Sequence, residues 1–323
     1  MAVRAAAAAP AATRAVGGHK GRPYNGGVCT RIATGALLLL AGTALLAQRV
    51  TDLPRPPIVI VGGTLIDGTG APPRPNEAIL IEDGRITRVG ADAFRKAPKG
   101  ARVISGTDRW IVPGLIDSHV HFFQTGGLDA RPDVVALPGT PPYATTVDRI
   151  RRKPQVYLRA YVCAGVTSVA DMGGPSWIFN LREGRALDHD SPRIAFAGPL
   201  LATHDPKALE LEDDEPLWLM KDVDQVRALV ALIAARRPDF VKVWFVHRPG
   251  DDLEAQTALV RAAIAGIHAM KLRAAVHATT LETAPRAVGA GGDNPVPGGA
   301  DRGGGEALVG FVVKRRGVFV AAG

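Results

Sequence analysis

Ile111-Val-Pro-Gly-Leu-Ile-Asp-Ser-His119-Val-His121 ends an apolar run with two histidines spaced i, i+2. On a β-strand that spacing points both imidazoles to one face, roughly 7 Å apart along the strand, where they can converge on one metal ion. Pro113-Gly114 breaks the chain ahead of Leu115-Ile116, and Asp117 adds a carboxylate beside the pair. Two histidines also fall near a strand end by chance, so the sequence around them has to decide.

Upstream, Ile58-Val-Ile-Val61, Thr64-Leu-Ile66, Ala78-Ile-Leu-Ile-Glu82 and Arg85-Ile-Thr-Arg-Val89 read as short strands separated by turns. Asp83-Gly84 between two such runs predicts a type I′ hairpin, whose central residues both need positive φ. Residues 56–112 are therefore expected to be a small all-β unit of sandwich type. Downstream the rhythm changes to apolar strands alternating with longer helical patterns. Strands are expected at 114–118, 166–171, 193–198, 240–246 and 273–277, with helices near 146–162, 221–236 and 252–270. That alternation implies an α/β fold with a parallel sheet, its strands covered on both faces. Five such units suggest an incomplete TIM-like (β/α) barrel, whose chemistry gathers at the C-terminal strand ends. His119, His121, Lys242 and His277 all fall at or near such ends. Residues 285–305 hold eight glycines and three prolines, a density ill-suited to a strand and helix. Residues 289–323 therefore read as a Gly/Pro-rich tract with a residual helix and strand, the strand at Val318–Ala321.

The formal net charge of +8 is concentrated at the front, where Arg4, Arg14, Lys20, Arg22, Arg31 and Arg49 face no acidic residue in the first 50 positions. The rest is close to neutral, which argues against nucleic acid as a partner. Ile32 to Ala47 is an uncharged run with Leu37-Leu-Leu-Leu40 at its centre, behind a basic stretch. Residues 1–55 read as a leader carrying a secretory signal peptide, or an uncleaved signal anchor that would be the one membrane attachment. The reading is thus an exported protein, periplasmic or extracellular. Cys29 lies in this leader, leaving Cys163 with no intrachain partner.

A lysine inside the apolar strand Phe240-Val-Lys-Val-Trp244 is hard to explain as a solvated residue, and His277 in Ala275-Val-His-Ala278 holds a similar place. His204, after the third strand, is a candidate substrate contact, though a solvated loop histidine reads as well. His247 is out of phase with Lys242, and His268 sits in a helical pattern; both read as structural or solvated. Asp171 closes the second strand, where it can hold the surrounding loops by hydrogen bonds.

Taken together, Ile60-Val-Gly-Gly-Thr-Leu-Ile-Asp-Gly68, Val112-Pro-Gly-Leu-Ile-Asp-Ser-His-Val-His121, Gly165-Val-Thr-Ser-Val-Ala-Asp-Met-Gly-Gly174, Val241-Lys-Val243 and Val276-His-Ala-Thr279 resemble the metal-dependent amidohydrolase superfamily. The similarity is greatest to its imidazolonepropionase-like and Xaa-Pro dipeptidase-like branch. The resemblance implies that residues 113–288 are part of a zinc hydrolase barrel. It implies that His119 and His121 bind a first metal, that Lys242 as its carbamate bridges to a second, and that His277 binds that second ion. The implied substrates are small amides, cyclic amides or dipeptides, attacked at a C–N bond by metal-activated water. The family pattern also has a histidine ending a sixth strand and an aspartate ending an eighth. Here Gly292-Asp-Asn-Pro-Val-Pro-Gly298 places Pro297 near the expected histidine, and its prolines argue against central-strand pairing. Asp293 and Asp301 have no claim to replace the aspartate. Two readings stay open: a hydrolase with one or two zinc ions and a compromised second site, or an inactive, truncated relative.

Overall fold

The computed structural model describes residues 56–125, 131–132, 135, 138–184, 190–278 and 280–296. The leader, Pro297, Asp301 and the strand expected at Val318–Ala321 lie outside them. The chain divides into two compact units at Val112/Pro113.

In the first unit, β1 (Ile58–Leu65), β2 (Arg74–Glu82), β3 (Arg85–Val89), β4 (Arg102–Ser105) and β5 (Trp110–Ile111) form one sheet in the order β3-β2-β1-β4, with β5 also paired to β1. The Asp83-Gly84 hairpin is present as expected: Glu82 pairs with Arg85, and both turn residues have positive φ, 50° and 72°. Two expectations change. Among the described residues there is one five-stranded sheet rather than a sandwich, and the unit is not all β. A single helical turn, α1 (Asp92–Arg95), follows Gly90 and buries Ala93 against Val59, Ala78 and Leu80. Small Ala93 lets the turn lie close, and Asp92 and Arg95 at its two ends suit the helix dipole.

The second unit contains all five expected strands: β6 (Leu115–Val120), β7 (Val166–Asp171), β8 (Arg193–Phe196), β11 (Val241–Trp244) and β12 (Ala274–His277). Three further strands of three residues each, β9 (Leu200–Ala202), β10 (Leu217–Leu219) and β13 (Asn294–Val296), were too short to show a period. All of these strands pair in parallel, as β6-β7-β8 and as β10-β9-β11-β12-β13. The expected helix at 146–162 is two helices, α2 (Tyr143–Arg152) and α3 (Pro154–Cys163). Pro154 lacks an N–H and pushes Lys153 out of helical geometry, to φ −134° and ψ 54°. Between β7 and β8 lies the short α4 (Asn180–Gly184).

β11 shows how sequence places the core. Val241, Val243 and Phe245 are fully buried and pack with Val226, Val230 and Ile233 of α5 (Val223–Ala235) and Val260, Ile264 and Ile267 of α6 (Leu253–Ala269). Lys242 and Trp244 therefore point to the opposite face. Both helices start on an aspartate cap: Asp222 accepts from the Gln225 amide, Asp252 from the Glu254 and Ala255 amides. Full coverage of the strands does not extend to β6, where Leu115 is 57% and Ile116 74% exposed. β6 ends its three-stranded sheet, so its outer edge has no neighbouring strand among the described residues.

The Gly292–Gly298 segment is also revised. β13 pairs with β12 despite Pro295, as an edge strand of the described sheet. Proline removes a donor but keeps its carbonyl, and the preceding residue takes up the anchoring: the Asp293 amide donates to the Ala274 carbonyl, and its carboxylate accepts the Ala274 amide at 2.7 Å. Between β12 and β13, α7 (Thr283–Gly289) packs over the same core through Ala284 and Ala287.

Candidate functional site

The C-terminal ends of β6, β11 and β12 bring the four expected side chains to one cavity of about 180 Å³, lined by His119, His121, Lys242 and His277. His119 and His121, two apart on the end of β6, share a face as the i, i+2 spacing requires; their rings meet edge-on with centroids 5.3 Å apart. In the parallel register Lys242 faces Ala275 and Trp244 faces His277, so Lys242, Trp244 and His277 lie on one side of the sheet. The Trp244 and His277 rings are 6.1 Å apart.

Each group is tuned by burial. His121 is held down at about 3, mainly by burial, against the opposing pull of its bond to Gly173. His277 is held at about 3 and His119 at about 4 by burial and then by the Lys242 ammonium, with Asp117 pulling His119 back up. These imidazoles are neutral at pH 7 and keep lone pairs for a Lewis acid. Lys242 is 1% exposed, its Nζ has no hydrogen-bond partner, and burial pushes its amine down to about 7. A lysine so desolvated has a large neutral fraction at neutral pH and is nucleophilic.

The His121 Nδ1 lies 2.7 Å from the Gly173 carbonyl oxygen. A carbonyl can only accept, so Nδ1 carries the proton and Nε2 the lone pair. Asp117 does not line the cavity; its Oδ1 accepts the His119 amide at 3.0 Å and steadies the strand end. Asp171 is fully buried and accepts from the Gly173 amide at 3.1 Å.

Sequence reasoning missed the remaining lining: Phe123, Gln124, Arg131, Leu200, Leu209, Leu217 and Trp244. Period-two alternation from Lys242 identifies Trp244, whereas Arg131, Leu209 and the short-strand residues Leu200 and Leu217 carry no such signal. His204 is not in the lining. Its ring lies 6.4 Å from that of Trp244, which does line the cavity. His247 bonds Gln256 and His268 bonds Asp293, in keeping with structural roles. Cys163 is free and exposed.

Among the described residues no three His, Cys, Asp or Glu side chains cluster closely enough to hold a metal ion unaided. The described lining offers three neutral imidazoles and one amine instead, with Arg131 nearby and no carboxylate among its described residues.

Comparison with known proteins gives a consistent picture. The profile of the amidohydrolase family matches residues 110–318. Among curated relatives, dihydroorotase of Anaeromyxobacter dehalogenans (strain 2CP-C) is 35% identical over 69 residues, 21% of this chain and 15% of the relative. Imidazolonepropionase of Geobacillus sp. (strain WCH70) is 24% identical over 150 residues, 40% of this chain and 34% of the relative. Among solved structures, a Xaa-Pro dipeptidase with bound methionine superposes with a TM-score of 0.59 at 20% identity, over 80% of this chain and 64% of that one. The chain thus matches only part of the length of each of these proteins.

Proposed function

This chain belongs to the amidohydrolase family, and from that premise we propose that it is built for metal-dependent hydrolysis of a C–N bond in a small amide, cyclic amide or dipeptide. The observation that carries the reading is the convergence of His119, His121, His277 and the partnerless Lys242 amine on one cavity at the strand ends.

The donor set fits zinc in its chemistry. Neutral imidazole is a preferred zinc ligand, and burial keeps all three in that form. What the set lacks is an anionic oxygen. Lys242 would supply one as its carbamate: the neutral amine adds carbon dioxide, an N–C bond forms, and one proton leaves to solvent. In that form the orphaned Nζ ceases to be an unpaired buried cation. The metal would be held by His119 and His121, with His277 and the Lys242 carbamate completing a second position. A bound zinc ion would supply an activated water and polarise the scissile carbonyl.

The chain's own residues account for the rest. Leu200, Leu209, Leu217, Phe123 and Trp244 exclude water and offer an apolar wall. Arg131 stands in the described lining beside the imidazoles, where it can border a bound substrate. An N-acyl-D-aspartate deacylase of Alcaligenes xylosoxydans xylosoxydans, 40% identical over 89 residues (28% of this chain, 16% of the relative), supports including acylated amino acids among the substrates to test.

Two measurements on the full chain test this. Zinc titration should show binding that His119→Ala and His277→Ala each weaken at least tenfold. A hydrolysis assay over N-acyl amino acids, cyclic amides and Xaa-Pro dipeptides should show turnover of at least one of these classes. Zinc binding unaffected by either substitution overturns the site. Zinc binding without turnover of any such substrate leaves a metal-binding relative that has lost catalysis, and the export expected from the leader would then concern a binding protein.

A further inference from the structure

We infer that Asp171 is a positioning residue for His121, holding from one carboxylate both the backbone that carries the histidine and the carbonyl that fixes its tautomer; this rests on the reading of His121 as a metal ligand. Asp171 ends β7 opposite Val120 of β6, so its side chain sits beside the end of the strand that bears His121. Its carboxylate takes two backbone amides. One is Gly173, at 3.1 Å from Oδ1, and the other is Phe122, the residue directly after His121. The Gly173 carbonyl accepts the His121 Nδ1 proton at 2.7 Å. The path from Asp171 back to Asp171 therefore closes a loop through Gly173, the His121 ring and the Phe122 amide.

The turn that presents this carbonyl has no freedom of its own. Gly173 has φ +108°, and a Cβ there would lie 2.6 Å from the Gly198 carbonyl oxygen. A Cβ on Gly174 would lie 2.4 Å from the Phe123 ring. The Met172 amide donates to the Val120 carbonyl, and the Gly174 amide to the Gly198 carbonyl, so the turn is tied to β6 on one side and to the β8–β9 connection on the other. With the carbonyl fixed, Nε2 is the nitrogen left with a lone pair. The arrangement also explains why a carboxyl that is fully buried, with Oδ2 unpartnered, is present at all. An unpaired buried oxygen is costly, and a purely structural strand end is met more simply by an apolar residue.

The test is histidine ring NMR on the metal-free, 15N-labelled full chain at pH 8, with zinc affinity measured separately by chelator competition. In the wild type the His121 ring is expected as a single Nδ1–H tautomer. In Asp171→Ala it should become a mixture, and zinc should bind about 10- to 100-fold more weakly, the size typical for loss of an outer partner. Asp171→Asn, closest in shape, should show an intermediate loss. An Nε2–H tautomer in the wild type overturns the inference without any variant. So does a folded Asp171→Ala or Asp171→Asn that keeps the single tautomer and wild-type zinc affinity. Failure of the wild type to bind zinc would instead remove the metal-site reading, while the tautomer result would still stand or fall by itself.

Discussion

Lys242 is the residue at which stability and function oppose each other most directly. Its side chain is 1% exposed with no partner for Nζ, and an uncompensated buried charge or amine costs several kcal/mol. Lys242→Met keeps the apolar stem and removes the amine. In metal-free, carbon dioxide-depleted buffer it is expected to raise unfolding stability by about 1 to 4 kcal/mol, read by urea denaturation, while zinc affinity falls. A variant less stable than the wild type would show that the amine has a partner in solution. Asp171 supplies the pH dependence. Burial pushes its carboxyl up from 3.8 to about 7, with the Gly173 and Phe122 amides pulling the other way. Between these values the native state keeps a proton that the unfolded chain has released. The contribution is thus fully present below about pH 4 and is lost as pH rises through 7, at about 1.4 kcal/mol per unit. The three depressed histidines act in the opposite direction, since acid must charge them, but they are common to wild type and Asp171→Asn. The stability of the wild type relative to Asp171→Asn should therefore fall by a few kcal/mol between pH 4.5 and 7.5. Parallel stability curves in metal-free buffer would contradict the buried, protonated carboxyl.

At the level of elements, what could be read in the sequence followed the strength of each periodic signal. β11 was legible because Val241, Val243 and Phe245 alternate with Lys242 and Trp244, and α5 and α6 were legible because each runs for more than ten residues behind an aspartate cap. The four converging residues of the site came with those strands. β9, β10 and β13 have three residues each, fewer than any alternation needs, so Leu200 and Leu217 could not be assigned to the cavity in advance. Arg131 lies between strand and helix, where no period operates. β13 was hidden for a further reason: Pro295 argues against a strand, and the tertiary anchor that overrides it is Asp293, a residue with no local signal. Its carboxylate accepts the Ala274 amide at 2.7 Å and pairs with His268 at 2.9 Å. Asp293→Ala should cost about 1 to 3 kcal/mol, the penalty for leaving such a buried-edge donor unpaired. Hydrogen exchange should localise the effect to the Ala274 amide and β13. Unchanged protection there would show that the Asp293 backbone bond to Ala274 suffices.

For the whole molecule, the second unit assembles its site at one end of a parallel sheet from strand ends separated by more than 150 residues of sequence, His119 to His277. Such a site exists only in the folded chain, so whatever binds it binds the native state alone and stabilises it by RT ln(1 + [L]/Kd). Zinc at a hundred times its dissociation constant should therefore add about 2.7 kcal/mol to unfolding stability. For a unit of roughly 200 residues that corresponds to a rise in Tm of about 5 to 10 °C, and EDTA should reverse it. The dependence separates specific binding from general effects of a divalent cation. Magnesium, which prefers oxygen ligands in octahedral geometry, should leave Tm within about 1 °C, because the described lining offers imidazoles and an amine and no carboxylate. Bicarbonate should increase the zinc shift and leave the metal-free Tm almost unchanged if the Lys242 carbamate forms only with metal present. An equal shift for zinc and magnesium, or a zinc shift that survives His119→Ala, would mean that the stabilising ion binds elsewhere on the chain. The same titration on Lys242→Met closes the argument: its higher metal-free Tm should be matched by a smaller response to zinc, because the group that destabilises the empty site is the one that completes the filled one.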